Sequence, residues 1–449
     1  MLPASAASII DFGARPDKNC TSAIQQAIDR AGEAQGVVFV PPGRYISGML
    51  NLRDGVTLWL HPDAVVQASG DIQDFPASER HVGFQNQRHH FILAEGCRNV
   101  TITGGGTLDG NGPAFWEKQT APDSWIKARQ PRVSPMIELR NCRHLTLEHI
   151  KVINSPGWTV HPYCCDHVVL NDVTVDNHLY GPNTDGFDIN GCRDVLISNC
   201  NLSCGDDGII IKATTGARSS ERIAVTNCIV RSNCIGIGLG QETASGIRQV
   251  TVSNCVVYES NRIFSIGIWE GGTVEDVIVN GLVGDTMCKP YLSRVIHLEV
   301  KQHAARDEVP LGRMHNIMIS NVLARGAGRC MLGAQQGTWL DDVVMRDIRM
   351  DFNALENADE LSPPDGISGS SQYFNRNLTA RRKNAAVVLE NLRRFSLDGL
   401  FVTWPDGHDL PYHVVWASNL HDAVINAPFA RGHAGAEPFC LENSSGVLC

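Results

Sequence analysis

No stretch of the chain approaches the roughly 20 apolar residues of a membrane-spanning helix, so no helical span is expected. Met1 to Ser8 has neither a basic segment nor a long apolar run, and no signal peptide is expected there. The 15 cysteines are odd in number, without a short disulfide-framework spacing or a convincing CxxC pair. That argues against a disulfide scaffold and against a zinc site, and favours a reducing, cytoplasmic setting with no metal or other cofactor. Positive charge is also in deficit: 38 Lys and Arg against 48 Asp and Glu give a net charge of −10. Nucleic acid is therefore not an expected partner, and a polyanion would feel no long-range attraction, although a local basic pocket stays open.

What the chain does have is a repeat. Short β-rich triplets recur, among them Val56-Thr57-Leu58, Val100-Thr101-Ile102, Leu145-Thr146-Leu147, Val195-Leu196-Ile197, Val250-Thr251-Val252 and Val277-Ile278-Val279. From Leu147 to Val279 their last residues step by 23, 27, 28, 27 and 27, while gaps near 44 or 40 elsewhere leave room for a second turn or an insertion. A fixed period in the twenties marks a solenoid, and Val, Ile and Thr broken by Gly and Asn mark strands rather than paired helices. The expected fold is all-β, a right-handed single-stranded parallel β-helix.

Two further registers agree. Asn199, Asn227, Asn254 and Asn321 each fall two residues after a triplet, where Asn would tolerate a left-handed corner and bond to the next rung. Cys97, Cys142, Cys165 and Cys192 fall five residues before a triplet's last residue and Cys200, Cys228 and Cys255 three after it, the pattern of buried stacks. Because a solenoid buries its core rung by rung, one domain over 1–449 is expected. Residues 17–35, with Thr21 or Ser22 as cap and Ile24, Ala27, Ile28 and Ala31 at helical spacing, form the capping helix. Ile9 to Gly13 reads as the first strand, and 353–385, with Arg381-Arg382-Lys383, as a long surface loop that either overhangs the cleft or does not.

The chemistry concentrates in Asn183-Thr184-Asp185-Gly186-Phe187-Asp188 and Gly205-Asp206-Asp207-Gly208. Asp185 precedes Asp206 by 21 residues, a little under one rung, so neighbouring strands bring three carboxylates together. Asp-Gly is also a common corner, the role expected for Asp188 and Asp109. Two adjacent acids leading into an apolar strand exceed what a corner needs. Glycoside hydrolysis needs one carboxylic acid to protonate the leaving oxygen and another carboxylate to activate water.

These motifs resemble the signature of the polygalacturonase-like and rhamnogalacturonase-like glycoside hydrolases, family 28, of the pectin-lyase-like superfamily. Leu52-Arg53-Asp54-Gly55, Gly105-Gly106-Thr107-Leu108-Asp109-Gly110, Arg132 and Ser155-Pro156-Gly157-Trp158-Thr159-Val160-His161-Pro162 are similar to further landmarks of its bacterial members. The resemblance implies an inverting hydrolase with Asp206 as general acid and Asp185 and Asp207 holding the water. It also exposes two departures. The Gly-His-Gly element is overlaid by Cys234-Ile235-Gly236, with Ile235 where the histidine would be, and the Arg-Ile-Lys element by Ser265-Ile266-Gly267, with Arg262 slightly earlier. A sugar carboxylate would want Arg or Lys at bidentate reach. An oligosaccharide containing galacturonate or rhamnose, other than plain polygalacturonate, is therefore the expected substrate, for a monomer or weak homo-oligomer with no nucleic-acid or membrane partner.

Candidate substrate contacts are Asn183, His161, His178, Lys212, Gln241, Glu242, Trp269 and Glu270. Trp269 either stacks on a sugar or covers the coil; Lys212 pairs with Asp206 or Asp207, binds substrate, or is solvated. His161 and His178 orient substrate, tune an aspartate, or serve as hydrogen-bonded structural residues. Two other classes remain open. A β-helix polysaccharide lyase would need a basic proton abstractor and often calcium, and a carbohydrate-binding solenoid would need stacking but not three acids.

Overall fold

The computed structural model describes residues 6–79, 88–286, 293–302, 308–355, 357 and 383–449. Most of the expected loop at 353–385, with Arg381 and Arg382, lies outside the described residues. The chain forms two compact units, one of residues 1–210 with 220–233 and the other of 211–219 with 234–449. Each is a stretch of right-handed parallel β-helix built from the same rung.

The triplets are the rung's most regular strand. In the first unit Leu145, Val168, Val195 and Ile223 lie in one register and Leu147, Leu170, Ile197 and Val225 in the next inward one, all buried. The second unit continues the pattern with Val250, Val277, Ile317 and Val343. Because strand side chains alternate between faces, each triplet puts its first and last residues into the core and its middle residue outward. Leu58 pairs with Ile102, Ile102 with Leu147, and Val279 with Ile319. The long gaps are thus single rungs carrying insertions, not extra turns.

Left-handed corners bracket the triplets from Val100-Thr101-Ile102 onward. Asn199, Asn227, Asn254 and Asn321 have φ of 57°, 54°, 53° and 54°, as expected of Asn at that position. Two of these amides bond to the residue before the neighbouring corner, Asn199 Nδ2 to Asn171 Oδ1 at 2.9 Å and Asn321 Nδ2 to Asn280 Oδ1 at 2.7 Å, so the ladder there is offset by one residue. Five residues earlier stands a second left-handed corner that the sequence did not advertise: His144, His167, Asp194 and Arg222 in the first unit, and Gln249, Asp276, Asn316 and Asp342 in the second.

The cysteine stacks are present as free thiols. Cys142 N–H donates to Cys165 Sγ at 3.3 Å and Cys165 N–H to Cys192 Sγ at 3.4 Å, and burial pushes the Cys165 thiol well up. The helix spans Thr21–Ala34, shorter than 17–35, and buries Ile24, Ala27, Ile28 and Ala31. Thr21 is its first residue rather than its cap, and Asn19 Oδ1 accepts the Thr21 N–H at 3.1 Å. Ile9–Phe12 is a turn of 3-10 helix, not a strand, because Gly13 in the left-handed region closes it by donating to Ile10 O. No helix among the described residues is long and apolar enough to cross a membrane.

Candidate active site

Two ladder bonds set the site's register. Gly186 N–H donates to Asp207 O at 2.8 Å and Phe187 N–H to Gly208 O at 2.9 Å, which places Asp185 opposite Asp207 on the adjacent rung, about 4.8 Å away along the sheet. Thr159 anchors the Asp185 carbonyl with its backbone N–H at 3.1 Å and its hydroxyl at 2.5 Å. Only glycine fits on either side. A Cβ at Gly186 would lie 2.4 Å from Gly208 O, and one at Gly205 would lie 2.3 Å from Thr184 Oγ1.

The three acids differ in exposure. Asp185 and Asp207 are buried, whereas Asp206 is partly open to solvent. A carboxylate oxygen of Asp206 lies within 4.8 Å of one of Asp207. Asp206 Oδ2 accepts from Asn183 Nδ2 at 3.2 Å, and its backbone carbonyl accepts from Ser232 Oγ at 2.6 Å. Asn183 Oδ1 in turn accepts from Arg132 Nη2 at 3.1 Å, while Arg132 Nη1 donates to the carbonyls of Pro156 and Pro182 at 3.1 and 2.5 Å. Burial lowers the Arg132 guanidinium to about 10, against the pull of the Asp185 and Asp206 charges. The neighbouring Cys204 thiol is pushed well up by burial and by the negative field of Asp185, Asp188, Asp206 and Asp207. It is inert as a nucleophile.

Asp188 is not a corner. It lies within the strand Phe187–Asn190 and is fully buried, because the outer face of this part of the sheet is covered rather than solvated. Asp109 is the last residue of the strand Thr107–Asp109, and its Oδ1 accepts the Asn111 N–H at 2.9 Å as the chain leaves that strand.

His161 belongs to a sealed network. Its Nδ1 meets Glu138 Oε2 at 2.7 Å, its Nε2 faces Asn190 Nδ2 at 3.3 Å, and none of the three side chains is exposed. With both nitrogens occupied, a direct sugar contact is not available to His161. Glu138 Oε1 also pairs with Arg140 Nε at 2.7 Å, and Arg140 Nη2 reaches His90 Nε2 at 3.0 Å. Burial would push the Glu138 carboxyl up, but the charge and hydrogen bond of His161, with His90 and Arg140, hold it at about 2. Burial lowers His90 to about 4. His178, by contrast, is exposed, with its ring 6.1 Å from Trp116 in an edge contact.

The remaining candidates lie in the second unit. Lys212 is buried and pairs with the partly exposed Glu242 at 2.7 Å, so it is not a solvated lysine. Trp269 is buried and committed to protein partners: its Nε1 donates to Glu299 Oε2 at 3.1 Å and Lys301 Nζ lies 4.1 Å from the ring centroid. Glu299 and Lys301 form a buried ion pair at 2.8 Å. Gln241 is partly exposed and Glu270 buried. Sequence reading gave no role to Arg132 beyond a landmark and missed Glu138, Arg140, Glu299 and Lys301. In Ile137-Glu138-Leu139-Arg140 the polar alternation looks solvated, and only the covering of that face makes it a buried network.

The fold and the three-aspartate turn define a parallel β-helix of the kind that carries glycoside hydrolysis. The family model described as glycosyl hydrolases family 28 matches residues 40–280, and the chain belongs to that family. A probable polygalacturonase of Vitis vinifera is 30% identical over 307 residues, which are 63% of this chain and 62% of that protein. Among solved structures, the family 28 exopolygalacturonase of Yersinia enterocolitica superposes with a TM-score of 0.72 at 18% identity, covering 98% of this chain and 78% of that one. A hyperthermoactive exopolygalacturonase from Thermotoga maritima superposes with a TM-score of 0.68 at 21% identity, over 80% of this chain and 92% of that one.

Proposed function

We propose that the protein is an inverting glycosidase acting on pectic oligosaccharides that contain galacturonate or rhamnose, other than plain polygalacturonate. The observation that carries this reading is the gathering of Asp185, Asp206 and Asp207 around one turn, with Asp206 the exposed member. Carboxylates crowded together disfavour one another's ionised forms, which favours one of them as a proton donor. Asp206, open to solvent, gives the proton to the glycosidic oxygen. Asp185 and Asp207, side by side in register, hold the attacking water and take its proton.

The substrate argument rests on Ser265, Ile266 and Gly267, none of which offers a cation. In the same unit the Lys212 and Lys301 ammonium groups already have carboxylate partners in Glu242 and Glu299. We place the activity in the cytoplasm, on imported oligosaccharides, in a monomer or weak homo-oligomer. A screen of rhamnose-, galacturonate- and arabinose-containing oligosaccharides, with the product anomer followed by NMR, tests the reading. Hydrolysis with inverted configuration is expected, and faster turnover of plain polygalacturonate than of any rhamnose-containing substrate would contradict the substrate assignment. An unsaturated product absorbing in the ultraviolet would point to a lyase instead.

A further inference from the structure

We propose that Arg132 is a positioning residue that, through the side-chain amide of Asn183, fixes which oxygen of Asp206 carries the proton delivered to the leaving group. This rests on Asp206 being the general acid.

A guanidinium only donates hydrogen bonds. The Asn183 atom 3.1 Å from Arg132 Nη2 must therefore be the amide oxygen, and the atom 3.2 Å from Asp206 Oδ2 must be the amide nitrogen. The amide cannot turn over without setting its own NH2 against the guanidinium. Arg132 cannot turn away either, because its Nη1 is spent on the Pro156 and Pro182 carbonyls and the side chain is buried. Asn183 itself stands at a φ of +52°, a region in which Asn is among the few tolerated side chains.

With an N–H permanently aimed at it, Oδ2 is the acceptor oxygen of Asp206. The acidic proton then resides on Oδ1. In the reaction Asp206 Oδ1–H gives its proton to the glycosidic oxygen as the bond from that oxygen to the anomeric carbon breaks. Water forms the new carbon–oxygen bond and yields its proton to the Asp185 and Asp207 carboxylates, so the leaving alcohol departs neutral. The positive charge of Arg132 acts on Asp185 and Asp206 together. Other ionisable groups around this turn include Asp188, Asp207, the buried Cys204 thiol, the Cys234 thiol within 4.8 Å of Asp206 and Asp207, and the exposed His178, whose carbonyl accepts from Thr184 Oγ1.

The test compares the wild type with Arg132→Met, Arg132→Lys and Asn183→Ala by the pH dependence of kcat and KM. Removing the cation and freeing the amide both disfavour ionised Asp185 and Asp206. Arg132→Met should therefore lower kcat by roughly 10- to 100-fold, leave KM within about twofold and move both limbs of the bell upward by about half a pH unit or more. Arg132→Lys keeps the charge, so its bell stays in place with kcat partly restored. A uniform loss of kcat with an unmoved bell would be a purely structural effect and would overturn the proposal. Should Arg132→Met fail to fold, Asn183→Ala, which keeps the cation and loses the hydrogen bond to Asp206 Oδ2, should move the alkaline limb upward, and an unmoved limb would overturn the proposal.

A second readout needs no turnover. Titration of the Asp206 carboxyl by 13C NMR, identified by its loss in Asp206→Asn, should move upward in Arg132→Met and Asn183→Ala. An unchanged titration overturns the relay. A wild type inactive on every pectic substrate would overturn the general-acid reading, while the carboxyl titration would still decide whether Arg132 and Asn183 govern Asp206.

Discussion

Two ionic clusters, one in each unit, show what separates a reactive group of charges from a structural one. In the second unit charges are matched: Glu299 pairs with Lys301 at 2.8 Å while donating partners close in from Trp269, and Lys212 pairs with Glu242 at 2.7 Å. In the first unit three aspartates crowd one turn, and the nearby Arg132 donates to two carbonyls and an amide. The matched cluster has no proton it can give at modest cost. The crowded one holds carboxylates that compete for protons, the condition acid and base catalysis requires.

That difference can be broken from the structural side. Lys301→Met leaves Glu299 buried beside Trp269 without its cation, and removing one partner of a buried pair costs about 3 to 5 kcal/mol. Thermal or denaturant unfolding should show that loss, and Lys301→Met combined with Glu299→Gln should recover most of it. Full stability in the single variant would mean that the pair is not a matched buried cluster.

A third set of buried charges sharpens the comparison through pH. Burial lowers His90, and the Arg140 guanidinium facing its Nε2 at 3.0 Å adds to that against the raising effects of Glu138 and of the Pro135 carbonyl 2.9 Å from Nδ1, so the ring is held neutral, with a folded value of about 4. Because the unfolded chain takes up this proton first, stability falls as pH drops from about 6.5 to about 4 and is then level for this group. Glu138, held at about 2, acts over the next window: its stabilisation is full above the ordinary carboxyl range and is lost as pH falls towards 2. In His90→Gln the fall between pH 6.5 and 4 should shrink while the lower one remains. An identical slope in wild type and variant would remove His90 from the account.

The smallest effect belongs to the repeat itself. Asn254→Ala puts an ordinary side chain at a φ of 53° and should cost about 1 to 2 kcal/mol, read from the denaturation midpoint. Activity per folded molecule should be unchanged, since the corner lies outside both clusters.

The repeat was legible because its corners and core use residue types chosen by their backbone and burial demands. Val, Ile and Leu mark inward positions, and Asn at 199, 227, 254 and 321 marks one left-handed corner. The companion corner at His144, His167, Asp194, Arg222 and Gln249 stayed hidden because its residues share a conformation but not a chemical type. Asp188 misled for the opposite reason: an acid close to glycines reads as a turn, yet the ladder bonds of Gly186 and Phe187 lead it into a strand. The three catalytic candidates were visible as a motif. Their support was not, since Arg132 lies 51 residues from Asn183 in sequence and meets it only because successive rungs stack. The partners of Trp269 and Lys212 were likewise out of reach, being set by neighbouring rungs roughly 30 residues away.

The central claim is that the crowded cluster supplies the acid from Asp206. Turnover of Asp206→Asn on the best wild-type substrate tests it most directly, with binding of the same oligosaccharide measured by calorimetry. A fall in kcat of about 10²- to 10⁴-fold with affinity retained is the expected result. Wild-type turnover in that variant would contradict the account.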